Sequence, residues 1–315
     1  MIDRWIAEAA RALREIGAGN PRFEAELLLA QAIRRSRTFL LTHPEYPPTE
    51  EERALLNELL GRRLSGEPLQ YVLGTAAFRE LTLRVGPGVL IPRSETEVLV
   101  EIAGEALGRW WQRAPRATPL PWVIDVGVGS GAILLALIYE AAHMLLAQND
   151  DPGTPQVWFR PLGIDVSPVA LGYAAENARL NGLPEPALLC GDLLSGVRVP
   201  PSVDAGAGPG SPLVAAIVSN PPYITSAEMT ELPPEIREHE PPAALHGGPD
   251  GLDVVRRLLD DAMPFVRRGA ILCFEIGETQ ETRLRQELER RGLERQTTVH
   301  ADLAQRPRVV LVEPV

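Results

Sequence analysis

The chain contains no lysine; all 31 of its basic residues are arginine. GC-rich codon usage accounts for this bias more simply than a demand for bidentate guanidinium contacts does. Cysteine is scarce, with Cys190 and Cys273 the two in 315 residues. That excludes a disulfide framework and a cysteine-rich zinc site. Each thiol lies in an apolar run, so both are expected to be buried. Positive charge is in deficit: 31 basic residues face 42 acidic ones, a net charge of −11. A protein that grips a phosphate backbone by charge has the opposite balance, so bulk nucleic-acid binding is disfavoured. Long hydrophobic runs are lacking too. The most apolar stretch, 131–148, is interrupted by Glu140 and His143 and is not expected to span a membrane. The first residues show no basic-then-apolar signal pattern, and a reducing cytoplasm is the expected location.

What is present suits a folded chain of two domains or one large one. Hydrophobic residues make up 45%, enough for a sizeable core. Residues 1–75 read as helices only. Ile6, Ala9, Leu13 and Ile16 fall on one helical face, and Gly17 and Gly19 stop the helix. Asn20 and Pro21 suit the cap and first turn of the next. Thr49 and Glu52 form a capping box ahead of another apolar-faced helix. Leu81, Leu83 and Val85 then alternate with polar residues, and Gly86-Pro87-Gly88 turns the chain. Residues 76–93 therefore read as a hairpin linking two domains. Ser94 and Glu97 suggest a second capping box, opening a domain over 94–315.

From residue 121 strands and helices alternate. Candidate strands are 122–127, 159–166, 187–192, 213–220 and 270–277. Such alternation predicts a mostly parallel sheet with helices on both faces. The last two strands, "QTTVHADL" and "RVVLVEP", have only a short connection and should pair antiparallel at the sheet edge. Two stretches rich in Pro, Gly and Asp, 147–156 and 199–212, read as surface insertions.

Chemistry concentrates at the ends of the strands. In "VIDVGVGSGAI" a strand runs into a turn and then a helix, and Gly127, Gly129 and Gly131 let a ligand approach the backbone. The helix start should offer free N–H groups. The spacing is G-x-G-x-G rather than the dehydrogenase G-x-G-x-x-G, which favours an adenosyl ligand that is not a dinucleotide. Asp165 ends the second strand and can accept two ribose hydroxyls; alone it could equally cap the next helix. Asp192 could accept an adenine amine and Leu193 could pack on the ring, although Asp192 alone could also be a cap. In "SNPPYIT" two prolines stiffen the chain. The side-chain oxygen of Asn220 and the carbonyl of Pro221 can then serve as two fixed acceptors beside the flat face of Tyr223. That pairing fits a planar –NH2 group, whether amide or base amine. In a parallel sheet these strand ends share one edge, so the motifs should converge on one crevice.

"DVGVGSG", Asp165 and "NPPY" resemble a class I S-adenosylmethionine-dependent methyltransferase that methylates amino groups. "NPPY" also occurs in DNA adenine-N6 methyltransferases, so the substrate rests on other segments. "RRLSGEPLQYVLG", "PGVLIPRSETE", "EPPAALHGGPDGLD", "FEIGETQ" and "DLAQRPRVV" are similar to the peptide chain release factor N5-glutamine methyltransferases. That resemblance covers nearly all of the chain after residue 60. Departures are Ser94, Gln305 and Pro307, where that family usually has Pro, Gly and Asp, and "EPPAAL", which lacks a common Arg.

The resemblance implies a Rossmann-like α/β fold, a mostly parallel seven-stranded sheet with an antiparallel C-terminal hairpin, preceded by a helical domain that recognises the protein substrate. It implies S-adenosyl-L-methionine held by Gly127, Val128, Gly129, Ser130, Gly131, Asp165, Asp192, Leu193 and Asn220, with S-adenosyl-L-homocysteine as product. Asn220, Pro221, Pro222 and Tyr223 would hold the glutamine of a release factor Gly-Gly-Gln motif. No metal and no direct nucleic-acid partner are expected. The open alternatives are a glutamine methyltransferase of a ribosomal protein, a nucleic-acid adenine-N6 methyltransferase and a non-catalytic adenosyl-binding regulator. His239 and His246 read as loop-surface residues.

Overall fold

The computed structural model describes residues 2–113, 120–146, 157–198 and 214–314. Both expected insertions, 147–156 and 199–212, lie outside the described residues. The chain divides into two compact units. One is Met1–Ala76 with Val85–Pro87 and Pro233–His239; the other is Ala77–Arg84, Gly88–Leu232 and Glu240–Val315.

The smaller unit is built on α1 (Ile2–Glu15), α2 (Pro21–Ala32), α3 (Arg37–Thr42), α4 (Glu50–Leu64) and α5 (Leu69–Leu73). The caps act as the sequence suggests. Asn20 Oδ1 accepts the Phe23 N–H at 3.3 Å, and Thr49 and Glu52 cap one another reciprocally. Ile2, Ile6, Leu13, Leu28, Leu29 and Leu56 form the buried core. Ile16, expected on that face, lies past the end of α1 and is exposed. The buried Arg63 guanidinium pairs with Glu24 at 2.8 Å and with Glu235 at 3.1 Å. This unit thereby holds a segment distant in sequence.

β1 (Thr75–Phe78) and β2 (Leu81–Arg84) form a hairpin. It is shorter than 76–93: residues from Gly88 onward line a cavity instead. Phe78, Leu81 and Leu83 point into the core of the larger unit. α6 (Thr96–Arg113) follows, without the expected capping box. The Ser94 hydroxyl donates to Glu95, and the Glu97 carboxylate accepts the Arg79 N–H at 3.0 Å. Glu97 is thus drawn away to the hairpin.

The larger unit continues with β3 (Trp122–Val126), α7 (Ala132–Leu146), β4 (Arg160–Asp165), α8 (Pro168–Leu180), β5 (Ala187–Cys190) and β6 (Val214–Ser219). Short turns α9 (Glu228–Glu231) and α10 (Pro234–Arg237), the latter belonging to the smaller unit, precede α11 (Asp253–Val266), β7 (Ile271–Glu275), α12 (Glu281–Arg290), β8 (Thr297–Ala301) and β9 (Pro307–Val312). Among the described residues the sheet has seven strands in the order β5-β4-β3-β6-β7-β9-β8. Its pairs are parallel except those of β9, which is antiparallel to β7 and β8. This is the Rossmann-like arrangement with an antiparallel edge that the alternation predicts. Apolar strand faces on both sides pack under helices, giving the two halves of the core. No helix among the described residues is long and apolar enough to cross a membrane.

Strand order reverses between β3 and β6, where Val126 pairs with Ser219. That switch point leaves a crevice at the carboxyl ends of the strands. Cys273 is buried in β7, whereas Cys190 is exposed, correcting the expectation of two buried thiols. Cys190 ends β5, an edge strand with only one neighbour to cover it.

Candidate functional site

A cavity of about 480 Å³ occupies the crevice, within the size range of small-molecule sites. Gly127, Val128, Gly129 and Ser130 line it after β3, and Asp165 after β4. Asp192 and Leu193 line it after β5, and Asn220, Pro221 and Pro222 after β6. Gly131 and Tyr223 are not part of its lining. Gly131, at φ +86°, serves packing: a Cβ there would stand 3.3 Å from Ala174 Cα.

The glycine turn differs from expectation in one respect, because four of its five N–H groups, all but that of Ser130, are already used. Gly127 and Val128 donate to the Ile164 carbonyl at 2.8 and 2.9 Å, and Gly131 to that of Val128 at 2.8 Å. Gly129 donates to Asp165 Oδ2 at 2.9 Å. The turn therefore offers a ligand close approach and the Ser130 N–H, rather than a full nest of donors. Two acids reinforce this character. Asp125 is fully buried; its Oδ2 accepts the Leu134 N–H at 3.2 Å and its Oδ1 has no partner. Burial pushes its carboxyl up to about 7. The half-buried Asp165 also accepts the Ser167 N–H at 2.9 Å. Ser167, not Asp165, caps α8. Asp192 is exposed and paired with Arg257 of α11 at 2.5 Å, so its oxygens are not simply open to a base amine. Leu193 adopts φ +50°, a left-handed conformation costly for a leucine.

The proline corner is held by residues far away in sequence. Ser219 Oγ donates to the Val126 carbonyl at 2.7 Å, tying β6 to β3. Asn220 Nδ2 donates to Thr96 Oγ1 at 3.1 Å. Thr96 donates in turn to Glu275 Oε2 at 2.8 Å, and the Tyr223 hydroxyl donates to Glu275 Oε1 at 3.1 Å. Glu275 is fully buried. Burial pushes its carboxyl above the usual range, opposed by the Thr96 hydroxyl and by nearby Arg308. Burial and the Glu275 charge likewise push the Tyr223 phenol up. The buried Gln280 side chain donates to the Tyr223 carbonyl at 2.8 Å and accepts the Gly277 N–H at 2.9 Å. Gly247 lies so close that a Cβ would stand 2.6 Å from the Pro222 carbonyl oxygen. These contacts give "HGGPDG" and "FEIGETQ" a physical meaning as the bed on which the corner rests.

Two further supports stand around the cavity. Glu240, nearly buried, accepts the Ile91 N–H at 3.1 Å and pairs with Arg93 at 2.5 Å, holding the 88–93 wall. Asn177, fully buried, donates to the carbonyls of Arg84 at 3.0 Å and Ser130 at 2.8 Å, binding hairpin and glycine turn together. Thr96, Asn177, Glu240 and Gln280 sit in polar surroundings that carried no local signal of this role; Glu275 alone carried one, as a charged residue in the otherwise apolar run of β7. His239 and His246 do not line the cavity. His246 is exposed, with Nε2 2.8 Å from Ser226 Oγ.

Residues 4–74 match the PrmC N-terminal domain model. The release factor glutamine methyltransferase of Moorella thermoacetica is 38% identical over 307 residues, covering 97% of this chain and 96% of the relative. That of Caulobacter vibrioides is 35% identical over 312 residues, covering 99% and 95%. The chain belongs to the release factor glutamine methyltransferase family. The enzyme of Geobacter sulfurreducens, of the same family, is 38% identical over 265 residues, covering 84% of this chain and 80% of that one. Among solved structures, the hMettl16 catalytic domain in complex with a 3′UTR hairpin has a TM-score of 0.52 at 15% identity, covering 82% of each chain; it shares the fold. As a release factor glutamine methyltransferase family member the chain departs at Ser94 and Gln305, both outside the cavity lining. Gln305 adopts φ +62°, a conformation that favours glycine.

Proposed function

We propose that this chain transfers the methyl group of S-adenosylmethionine to the side-chain amide nitrogen of the glutamine in a release factor Gly-Gly-Gln motif, leaving S-adenosylhomocysteine. Family membership supports the reaction. The observation that carries the site assignment is the Asn220 side chain, tied by its Nδ2 to Thr96 at the wall of the switch-point cavity.

The residues fit the cofactor. A turn with most of its donors used internally, beside the Asp165 carboxylate, suits a phosphate-free adenosyl group that carries positive charge. Asp165 keeps lone pairs for the ribose hydroxyls. Asp192, sharing its carboxylate with Arg257, and Leu193 would face the adenine. Val128 and Ser130 would bound the opposite side, with Gly127 and Gly129 allowing close approach. When bound, the cofactor supplies an electrophilic sulfonium methyl.

An amide nitrogen is a weak nucleophile because its lone pair is delocalised. The chain's contribution is alignment rather than a strong base. Asn220 Oδ1 and the Pro221 carbonyl accept the two amide N–H hydrogens and aim the nitrogen. Pro222 flanks the amide plane, and Tyr223 anchors the corner through its hydroxyl bond to Glu275. These acceptors are set in place before the reaction and favour the positive charge that develops on nitrogen as it gains the methyl group, until one of its two protons is released to solvent. The helical unit would grip the release factor body, and the setting would be translation termination in the cytoplasm.

The test is mass spectrometry of a Gly-Gly-Gln peptide, an intact release factor, a ribosomal protein fraction and DNA after incubation with enzyme and cofactor. The expected result is the gain of one CH2 on the motif glutamine alone. Methylation of adenine, or of a ribosomal glutamine in preference, would overturn the substrate assignment.

A further inference from the structure

We propose that Glu275, acting through Thr96, is a positioning residue that fixes which end of the Asn220 amide faces the substrate, and thereby makes the site select a primary amide over a carboxylate or ester. This rests on the glutamine-methylation reading above and names how its specificity arises.

The argument is one of donors and acceptors. Each Glu275 oxygen faces one hydroxyl, and the carboxyl is the acceptor of both hydrogen bonds, from Thr96 Oγ1 at 2.8 Å and from the Tyr223 hydroxyl at 3.1 Å. A threonine hydroxyl has a single hydrogen, and here it is spent on Glu275. Towards Asn220, 3.1 Å away, Thr96 can therefore only accept. The end of the asparagine facing it must be the NH2 group. Oδ1 is consequently turned away from Thr96, as the second acceptor beside the Pro221 carbonyl.

The topology keeps the four groups together. Ser219 pairs with Phe274 across β6 and β7, so Asn220 and Glu275 each lie one residue beyond a paired position. Thr96 is buried at the start of α6. A glutamine amide brings two N–H donors to two acceptors. A glutamate or ester brings none, and its oxygens would meet the oxygens of the corner. Reversing the Asn220 amide would replace one acceptor with a donor and admit those groups. An orphaned polar pair of this kind separates substrates far more sharply than an apolar pocket does.

Glu275→Gln keeps the shape but brings one donor and one acceptor to two hydroxyls, so the direction of the chain is no longer fixed. Thr96→Val removes the link, and Thr96→Ser restores it. Each variant is compared with the wild type for kcat and KM on a Gly-Gly-Gln peptide and for cofactor affinity by calorimetry. Exchange protection of the Asn220 side-chain NH2 is read by NMR, with the resonance assigned by its loss in Asn220→Ala. The expected result is a kcat lowered about 10²-fold in Glu275→Gln and Thr96→Val, with cofactor affinity within about 3-fold of wild type. Thr96→Ser should recover both activity and NH2 protection. Thr96→Val in an Asn220→Ala background should cost little more than Asn220→Ala alone. If wild type methylates no glutamine yet Thr96→Val still strips the NH2 protection, the reaction assignment fails and the orienting chain stands. Near-normal kcat with unchanged NH2 protection in Thr96→Val, or full additivity with Asn220→Ala, would overturn the inference.

Discussion

The glycine turn after β3 and the proline corner after β6 are neighbours on one sheet edge, but they are stabilised in opposite ways. The turn is nearly self-sufficient. Its glycines take positive φ, and four of its five N–H groups are satisfied by Val128 within the turn and by Ile164 and Asp165 of the adjacent strand. The corner is rigid through proline but positioned by Thr96, Gly247, Glu275 and Gln280, which come from three separate stretches of chain. A surface that only needs to let a ligand approach can be written locally. A pair of acceptors that must be aimed needs support from outside its own segment.

Substitutions can test that contrast. The largest effect is expected for Asn220→Ala, about 10³-fold in kcat with cofactor affinity kept within a few-fold. Asp165→Ala should show the reverse split, with cofactor affinity falling in calorimetry. If both variants lost the same quantity, turn and corner would not have separate tasks.

Asp125 sharpens the electrostatic side. Its carboxyl, raised from 3.8 to about 7 by complete burial, is held neutral at low pH in the folded state and ionises readily when unfolded. Stability should therefore be highest below about pH 4 for this group and fall as pH rises towards 7, by at most roughly 4 kcal/mol. Denaturant titrations across that window, compared with Asp125→Asn, should show the slope reduced in the variant. An identical slope would assign it to other groups.

Two glycines with different constraints come next. Gly247→Ala places a methyl group against the Pro222 carbonyl and should destabilise by about 3 kcal/mol. Gly127→Ala meets nothing within 4 Å and carries only the strain of φ +76°, about 1 kcal/mol. Equal midpoint shifts in urea would mean the corner is softer than its packing indicates. The smallest effect is Gln305→Gly. Relief of a left-handed glutamine, offset by the entropy of glycine, should add about 0.5 kcal/mol.

The sequence made the layers of the larger unit legible because its periods switch cleanly from 2 to 3.6, and it marked the helix starts at Asn20 and Thr49 because caps are local. It did not reveal α3 or α5, which are too short to show a period. Ser94 and Glu97 had the spacing of a capping box, yet Glu97 found a better partner in the Arg79 backbone. Cys190 sits in an apolar run, but only strand order shows that the run is an edge. The strand-end residues read as site candidates do reach one cavity, except Gly131 and Tyr223. What stayed hidden was the chain from Asn220 through Thr96 to Glu275, because a buried hydrogen bond across 124 residues leaves no trace in local pattern.

The internal use of the turn's N–H groups also bears on unwanted guests. ATP shares the adenosine portion of the proposed cofactor and differs in carrying a chain of anionic oxygens. At Gly127–Gly131 such a chain finds four of five N–H donors already engaged, with only that of Ser130 left, and the carboxylate of Asp165 close by. The entrance thus offers the most obvious look-alike little to hold its charge, and needs no bulky side chain for that.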